Sequence, residues 1–116
     1  MDILIVDPDL SEQNKLTQIL FELHSTARIH SFTDPLLATK YGANNRVDAL
    51  YTVPRMRRLN GFELGKLLRS LQPDMELHFI ADDESGRQDA MRIMADSYTL
   101  RPVTAEALSR AEDAEW

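Results

Sequence analysis

The sequence predicts an α/β protein: a doubly wound, five-stranded parallel sheet with helices on both faces, a (βα)5 three-layer sandwich over residues 1–116. Three observations carry this. Short apolar runs of strand length alternate five times with segments of helical periodicity. The run Val47 to Val53 is apolar, β-branched or aromatic at six of its seven positions, as expected of a central strand covered on both faces. Capping residues and prolines punctuate the alternation, leaving no linker or low-complexity tract.

Ile3 to Val6, bounded by Asp2 and Asp7-Pro8, reads as the first strand. Asp9-Leu10-Ser11-Glu12 is a capping-box pattern, and Leu16, Ile19, Leu20 and Leu23 form the buried stripe of the helix it opens. Ala27 to Phe32 is a weaker strand, and Thr33-Asp34-Pro35 starts a helix that fades near Gly42 to Asn45. After the third strand, Asn60-Gly61-Phe62-Glu63 repeats the capping logic, with Leu64, Leu67, Leu68 and Leu71 as the stripe and Pro73 as the stop. Leu77 to Ala81 is the fourth strand, and Ser85-Gly86-Arg87-Gln88 is a capping box before a helix carrying Ala90, Met91 and Met94. Ser97 to Leu100 is a short fifth strand. Thr104 caps a last helix, with Ala107, Leu108 and Ala111 as its small apolar face, running close to Trp116.

Composition excludes several classes. A net charge of −6 argues against direct contact with a nucleic-acid backbone, which needs clustered Lys and Arg. The absence of cysteine rules out disulfide and thiolate chemistry, and His24, His30 and His78 lack metal-ligand spacing. Four glycines, none clustered in a strand–helix turn, disfavour a nucleotide-binding enzyme. No apolar run approaches the roughly 20 residues that span a bilayer. The start lacks the pattern of a signal peptide, so a cytoplasmic location is expected.

In open α/β sheets chemistry sits beyond the carboxyl ends of the strands. There the central strand places Val53, which is no acid, base or nucleophile, while Thr52 points to the opposite face. The following loop, Pro54 to Gly61, carries Arg55, Arg57 and Arg58. It reads as a solvated loop. Alternatively, Arg55 or Arg57 reaches Asp7 and Asp9 as an internal cation, or the loop and Arg101 bind a phosphorylated ligand.

Leu4-Ile5-Val6-Asp7, Asn60-Gly61-Phe62-Glu63-Leu64 and the tail Ala95-Asp96-Ser97-Tyr98-Thr99-Leu100-Arg101-Pro102-Val103-Thr104-Ala105-Glu106 occur in order and at matching spacing. Together they resemble the receiver domain of bacterial response regulators, from Ile3 to about Ala111. The resemblance implies a flavodoxin-like fold with strand order 2-1-3-4-5 and a cis Arg101-Pro102 bond. Such receivers accept a phosphoryl group from a histidine kinase onto an aspartate ending the third strand. That aspartate and an acidic pair hold Mg²⁺, while a strand-four hydroxyl and a lysine before the proline contact the phosphoryl oxygens. Counting eight residues back from Gly61, or five on from Asp48, puts Val53 at the acceptor position. Asp7 keeps one member of the acidic pair and Pro8 replaces the other; Asp9 either substitutes for it or serves as helix N-cap. The hydroxyl position falls on Ala81, or Ile80 one residue earlier, and Arg101 replaces the lysine.

The expected protein is therefore a degenerate pseudo-receiver, not an enzyme, with no cofactor and no metal. The alternative is a working phosphorelay receiver that accepts a phosphoryl group at Asp7 or Asp9 with Mg²⁺. By the resemblance, a protein partner or homodimer would use the helix 4–strand 5–helix 5 face, here Met91, Met94, Tyr98, Leu100 and Leu108. It would regulate an output domain, such as a transcriptional one, outside this chain. Helical spacing equally allows Met91 and Met94 to fill the core. Tyr98 matches the family's activation-reporting aromatic, and otherwise reads as a half-buried ring at a sheet edge.

Overall fold

The computed structural model describes residues 1–114. Five parallel strands, β1 (Asp2–Val6), β2 (Arg28–Phe32), β3 (Ala49–Thr52), β4 (Glu76–Ala81) and β5 (Ser97–Leu100), form one sheet in the order β2-β1-β3-β4-β5. The connections carry α1 (Leu10–Leu23), α2 (Pro35–Asn44), α3 (Gly61–Leu71) and α4 (Arg87–Arg92), and α5 (Ala105–Asp113) follows β5. The expected flavodoxin-like architecture and strand order are observed.

Alternation along the strands divides the core into two layers. Leu4, Val6, Leu50, Leu77 and Phe79 face Ala38, Leu64 and Leu68 on the α2 and α3 side. Ile3, Ile5, Tyr51 and Ile80 face Leu16, Leu20 and Leu108 on the α1 and α5 side. β3 is hydrogen-bonded on both edges, with Tyr51 opposite Ile5 and His78. All four of its residues are buried, which is why the sequence there shows no alternation. The regular ladder is shorter than the apolar run: Val47 and Val53 are buried but lie outside it.

The helix starts follow local chemistry. Asp9 accepts the Glu12 N–H, Asp34 accepts the Leu36 N–H with Pro35 first in the helix, and Thr104 accepts the Ala107 N–H. Asn60 and Glu63 complete a reciprocal capping box. At α1 the box is only half formed. The Asp9 N–H is spent on Asp7 Oδ1 (2.9 Å), and Glu12 turns instead to Lys15 and Arg101.

The start of the fourth helical segment differs from expectation. Asp83, not Ser85, is the cap: its Oδ1 accepts the Ser85 N–H (2.9 Å) and opens a 3-10 turn, Glu84–Gly86. A short-range Asx turn wins here because the Ser85 hydroxyl is itself spent on the same carboxylate. α4 then ends before Met94, which takes a left-handed backbone (φ 59°). α5 stops at Asp113, and the expectation that it runs close to Trp116 lies outside the described residues. Among the described residues no helix is long and apolar enough to cross a membrane.

Candidate functional site

The carboxyl ends of β1, β3, β4 and β5 meet at a cleft of about 250 Å³ lined by Asp7, Val53, Ala81, Asp82, Tyr98 and Arg101, among others. Val53 and Ala81 contribute short apolar side chains, 7% and 4% exposed. Thr52 is turned away, its hydroxyl donating to the Val6 carbonyl at 2.8 Å. The turn after Val53 is closed by the Gly61 N–H donating to the Pro54 carbonyl at 3.0 Å. A Cβ on Gly61 would lie 2.0 Å from the Val53 carbonyl oxygen, so only glycine fits this approach.

Arg101 enters from the end of β5, where its N–H donates to the Ala81 carbonyl (2.8 Å) and a cis bond leads to Pro102. Its guanidinium donates to Asp7 Oδ2, with Asp82 Oδ1 at 3.5 Å. Glu12 Oε2 lies 3.4 Å from Nε, an electrostatic neighbour without hydrogen-bond geometry. One cation thus faces three carboxylates. β3 and β4 separate β1 from β5, and the short side chains at their ends leave the space that the arginine crosses.

Asp7 is 6% exposed, and burial raises its pKa above the ordinary carboxylate value; the Asp9 N–H and the Arg101 charge oppose that rise. Its backbone carbonyl accepts from Gln13 Nε2 (2.9 Å), which also donates to the Phe32 carbonyl (2.7 Å). Gln13 therefore ties α1 to the ends of β1 and β2. The sequence reading missed it, although its polarity three residues before Leu16, on the buried stripe, was a usable signal. Asp82 was missed as well.

The expectation that Arg55 or Arg57 supplies the cation for Asp7 and Asp9 is not met. Arg55 Nη2 donates to Ser85 Oγ at 3.4 Å, Arg57 is exposed, and the residue that reaches Asp7 is Arg101. The loop runs outward toward α2, as Arg58 shows by pairing with Asp34 at 3.4 Å. Asp9 serves as the α1 cap. The donor set does not fit the Mg²⁺ that the resemblance implies for active receivers. Pro8 and Val53 offer no ligand, and Asp7 is already engaged by a guanidinium. Among the described residues no group of three or more acidic or histidine side chains is placed to hold a metal.

On the α4–β5–α5 side the five expected contact residues separate. Met91 and Met94 are 46% and 79% exposed, so they do not fill the core, and Leu100 is half-buried. Leu108 is fully buried against the sheet and cannot be a contact residue. Tyr98 is also buried. Its hydroxyl donates to the Asp83 carbonyl (2.7 Å) and accepts the Gly86 N–H (3.2 Å), while the Arg87 guanidinium lies 4.9 Å from the ring centre. The ring is thus held inward by the turn preceding α4.

No family model matches the chain. It is 27% identical over 112 residues to the cyclic di-GMP phosphodiesterase response regulator RpfG of Xanthomonas campestris pv. campestris, covering 93% of this chain. The chain spans 30% of the length of that relative. Among solved structures, the response regulatory domain of mrkE from Klebsiella pneumoniae superposes with a TM-score of 0.86 at 24% identity, covering 97% of this chain and 93% of that one. The receiver domain of sensor histidine kinase PA1611 from Pseudomonas aeruginosa, with magnesium coordinated in its active-site cleft, gives 0.79 at 18% identity, covering 94% and 91%. The fold is that of the receiver domains of signal-transducing response regulators.

Proposed function

We propose that this receiver-fold domain is a pseudo-receiver: a cytoplasmic signalling module that acts through protein–protein contact or dimerisation without accepting a phosphoryl group. It would regulate an output domain, such as a transcriptional one, or a partner protein. The observation that carries the reading is the Arg101 guanidinium seated against Asp7, in a cleft where the acceptor and hydroxyl positions carry Val53 and Ala81. Phosphoryl transfer needs an acceptor oxygen and a divalent cation to neutralise the charge that develops. Here the acceptor position carries an isopropyl group, and a fixed protein cation stands beside the carboxylate. Such a site holds one arrangement without metal or phosphate, leaving signalling to surfaces such as the exposed Met91 and Met94 with the half-buried Leu100. The likeness to RpfG supports a place in response-regulator signalling; the phosphodiesterase activity in that name is said of that protein alone.

The test is intact mass after incubation with acetyl phosphate and Mg²⁺. The expected result is an unmodified chain. A phosphate adduct mapped to Asp7 or Asp9 would return the domain to the phosphorelay.

A further inference from the structure

A second feature lies beside the cleft. The outward-running loop after β3 faces the start of α2 across a groove of about 520 Å³. Pro8, Pro35 and Met56 give it apolar walls, and Arg55, Arg57 and Arg58 line it, all three exposed. Asp34 is the one carboxylate among the lining residues. It is already committed, capping the Leu36 N–H at 2.9 Å and pairing with Arg58 at 3.4 Å. The Arg57 guanidinium forms no ion pair or hydrogen bond among the described residues. Arg58 holds a left-handed backbone (φ 72°), a conformation few non-glycine residues adopt. Leu36 and Leu37, 46% and 54% exposed, stand on the adjoining first turn of α2.

We infer that this groove docks an acidic protein segment bearing an apolar anchor. Charge complementarity selects the acid: three guanidinium groups meet one spent carboxylate, in a chain whose net charge is −6. The apolar walls and the flanking leucines select the anchor, and an unbranched Met56 adapts to its shape. A nucleic acid fits less well, because the remaining surface is acidic and repels a phosphate backbone. A free nucleotide fits less well too, since no glycine-rich run of backbone N–H groups lines the groove. The inference rests on the domain being an interaction module but not on the loss of phosphoryl transfer. A phosphate adduct in the mass experiment would leave it standing.

The test follows the amides of the ¹⁵N-labelled full chain by NMR while a short synthetic peptide of Glu, Asp, Leu and Trp is added. Shifts confined to residues 33–37 and 54–59, with affinity falling as salt rises, are expected. Arg57→Glu should weaken binding roughly tenfold or more, the effect of losing one charge-assisted contact and adding a repulsion. Its unfolding midpoint should not change, because the replaced side chain supports nothing in the fold. A peptide with Gln and Asn in place of Glu and Asp should bind correspondingly weakly. Equal binding of that neutral peptide, or shifts centred elsewhere, would overturn the proposal. So would tighter binding of a single-stranded oligonucleotide at the same residues, or concentration-dependent shifts without peptide, which would make the occupant a second copy.

Discussion

The guanidinium of Arg101, at the end of β5, donates to the buried carboxylate of Asp7, at the end of β1, across two intervening strand ends. These residues lie 94 positions apart in the chain. The pair sets the electrostatics of the cleft, because a buried carboxylate without a cation is expensive to keep ionised.

The Asp7 carboxyl should titrate above the ordinary 3.8, since burial outweighs the groups that lower it. Arg101→Gln removes one lowering charge and should move the midpoint further up, whereas Arg55→Ala and Arg57→Ala should leave it in place. With a folded pKa above the unfolded one, ionising Asp7 costs stability as pH rises from 3.8 through the folded value. Arg101→Gln should therefore also destabilise the domain at neutral pH, by about 1–3 kcal/mol. Carboxyl-detected NMR titration reads the midpoint; an unchanged Asp7 in Arg101→Gln would remove the arginine from its role.

Val53→Asp places a second carboxylate beside Asp7 in a site that is 7% exposed. It should cost about 2 kcal/mol or more without metal. Added Mg²⁺ should recover part of the loss in the variant and do nothing for the natural chain. Thermal melts with and without the metal measure this, and equal Mg²⁺ stabilisation of both proteins would contradict the reading of the site.

Gly61→Ala should be among the more damaging substitutions of the loop. The added Cβ meets the Val53 carbonyl oxygen at 2.0 Å and the Phe79 ring at 3.0 Å, so backbone rather than a flexible side chain must move. A loss of about 2–4 kcal/mol by urea denaturation is expected. A near-neutral variant would mean that the loop relaxes freely.

Leu108→Ala and Met94→Glu should separate core from surface. Leu108 is fully buried, so its truncation should cost about 2–5 kcal/mol. Met94 is 79% exposed, and its replacement should stay within about 0.5 kcal/mol. Any self-association seen by sedimentation should be weakened by Met94→Glu. If dimerisation survives that change, together with Met91→Glu, the methionine face is not the contact.

Asp48 links the starts of β1 and β3: its Oδ2 accepts the Asp2 N–H at 2.6 Å, and Arg46 pairs with it at 2.8 Å. The Asp2 N–H first, then Arg46, hold its pKa below 3.8. Its contribution is therefore present above 3.8 and lost as pH falls through the lower folded value. Asp48→Asn should destabilise at neutral pH by about 1 kcal/mol, with the difference from the natural chain closing in acid. A difference that persists unchanged in acid would show that the charge is not what matters.

The caps at Asp9, Asp34, Asn60 and Thr104 were all legible, because each is a side chain reaching an N–H two or three residues away. The fourth helical segment was misread for a related reason. Asp83 and Ser85 both offer cap chemistry, and only the folded turn shows that Ser85 donates to Asp83. Met91 and Leu108 both sat on plausible helical stripes. Which of them met the sheet depended on the short α4 and on how α5 docks.

By itself the sequence determined the alternating α/β order, the buried central strand and the apolar Val53 at its end, since periodicity and capping act over a few residues. The tertiary structure alone decided that Arg101, not Arg55 or Arg57, meets Asp7, and that the loop arginines turn instead to a groove beside α2. Parallel sheet order brings strand ends together from distant parts of the chain, and a long arginine pairs with whichever carboxylates that convergence places within its reach.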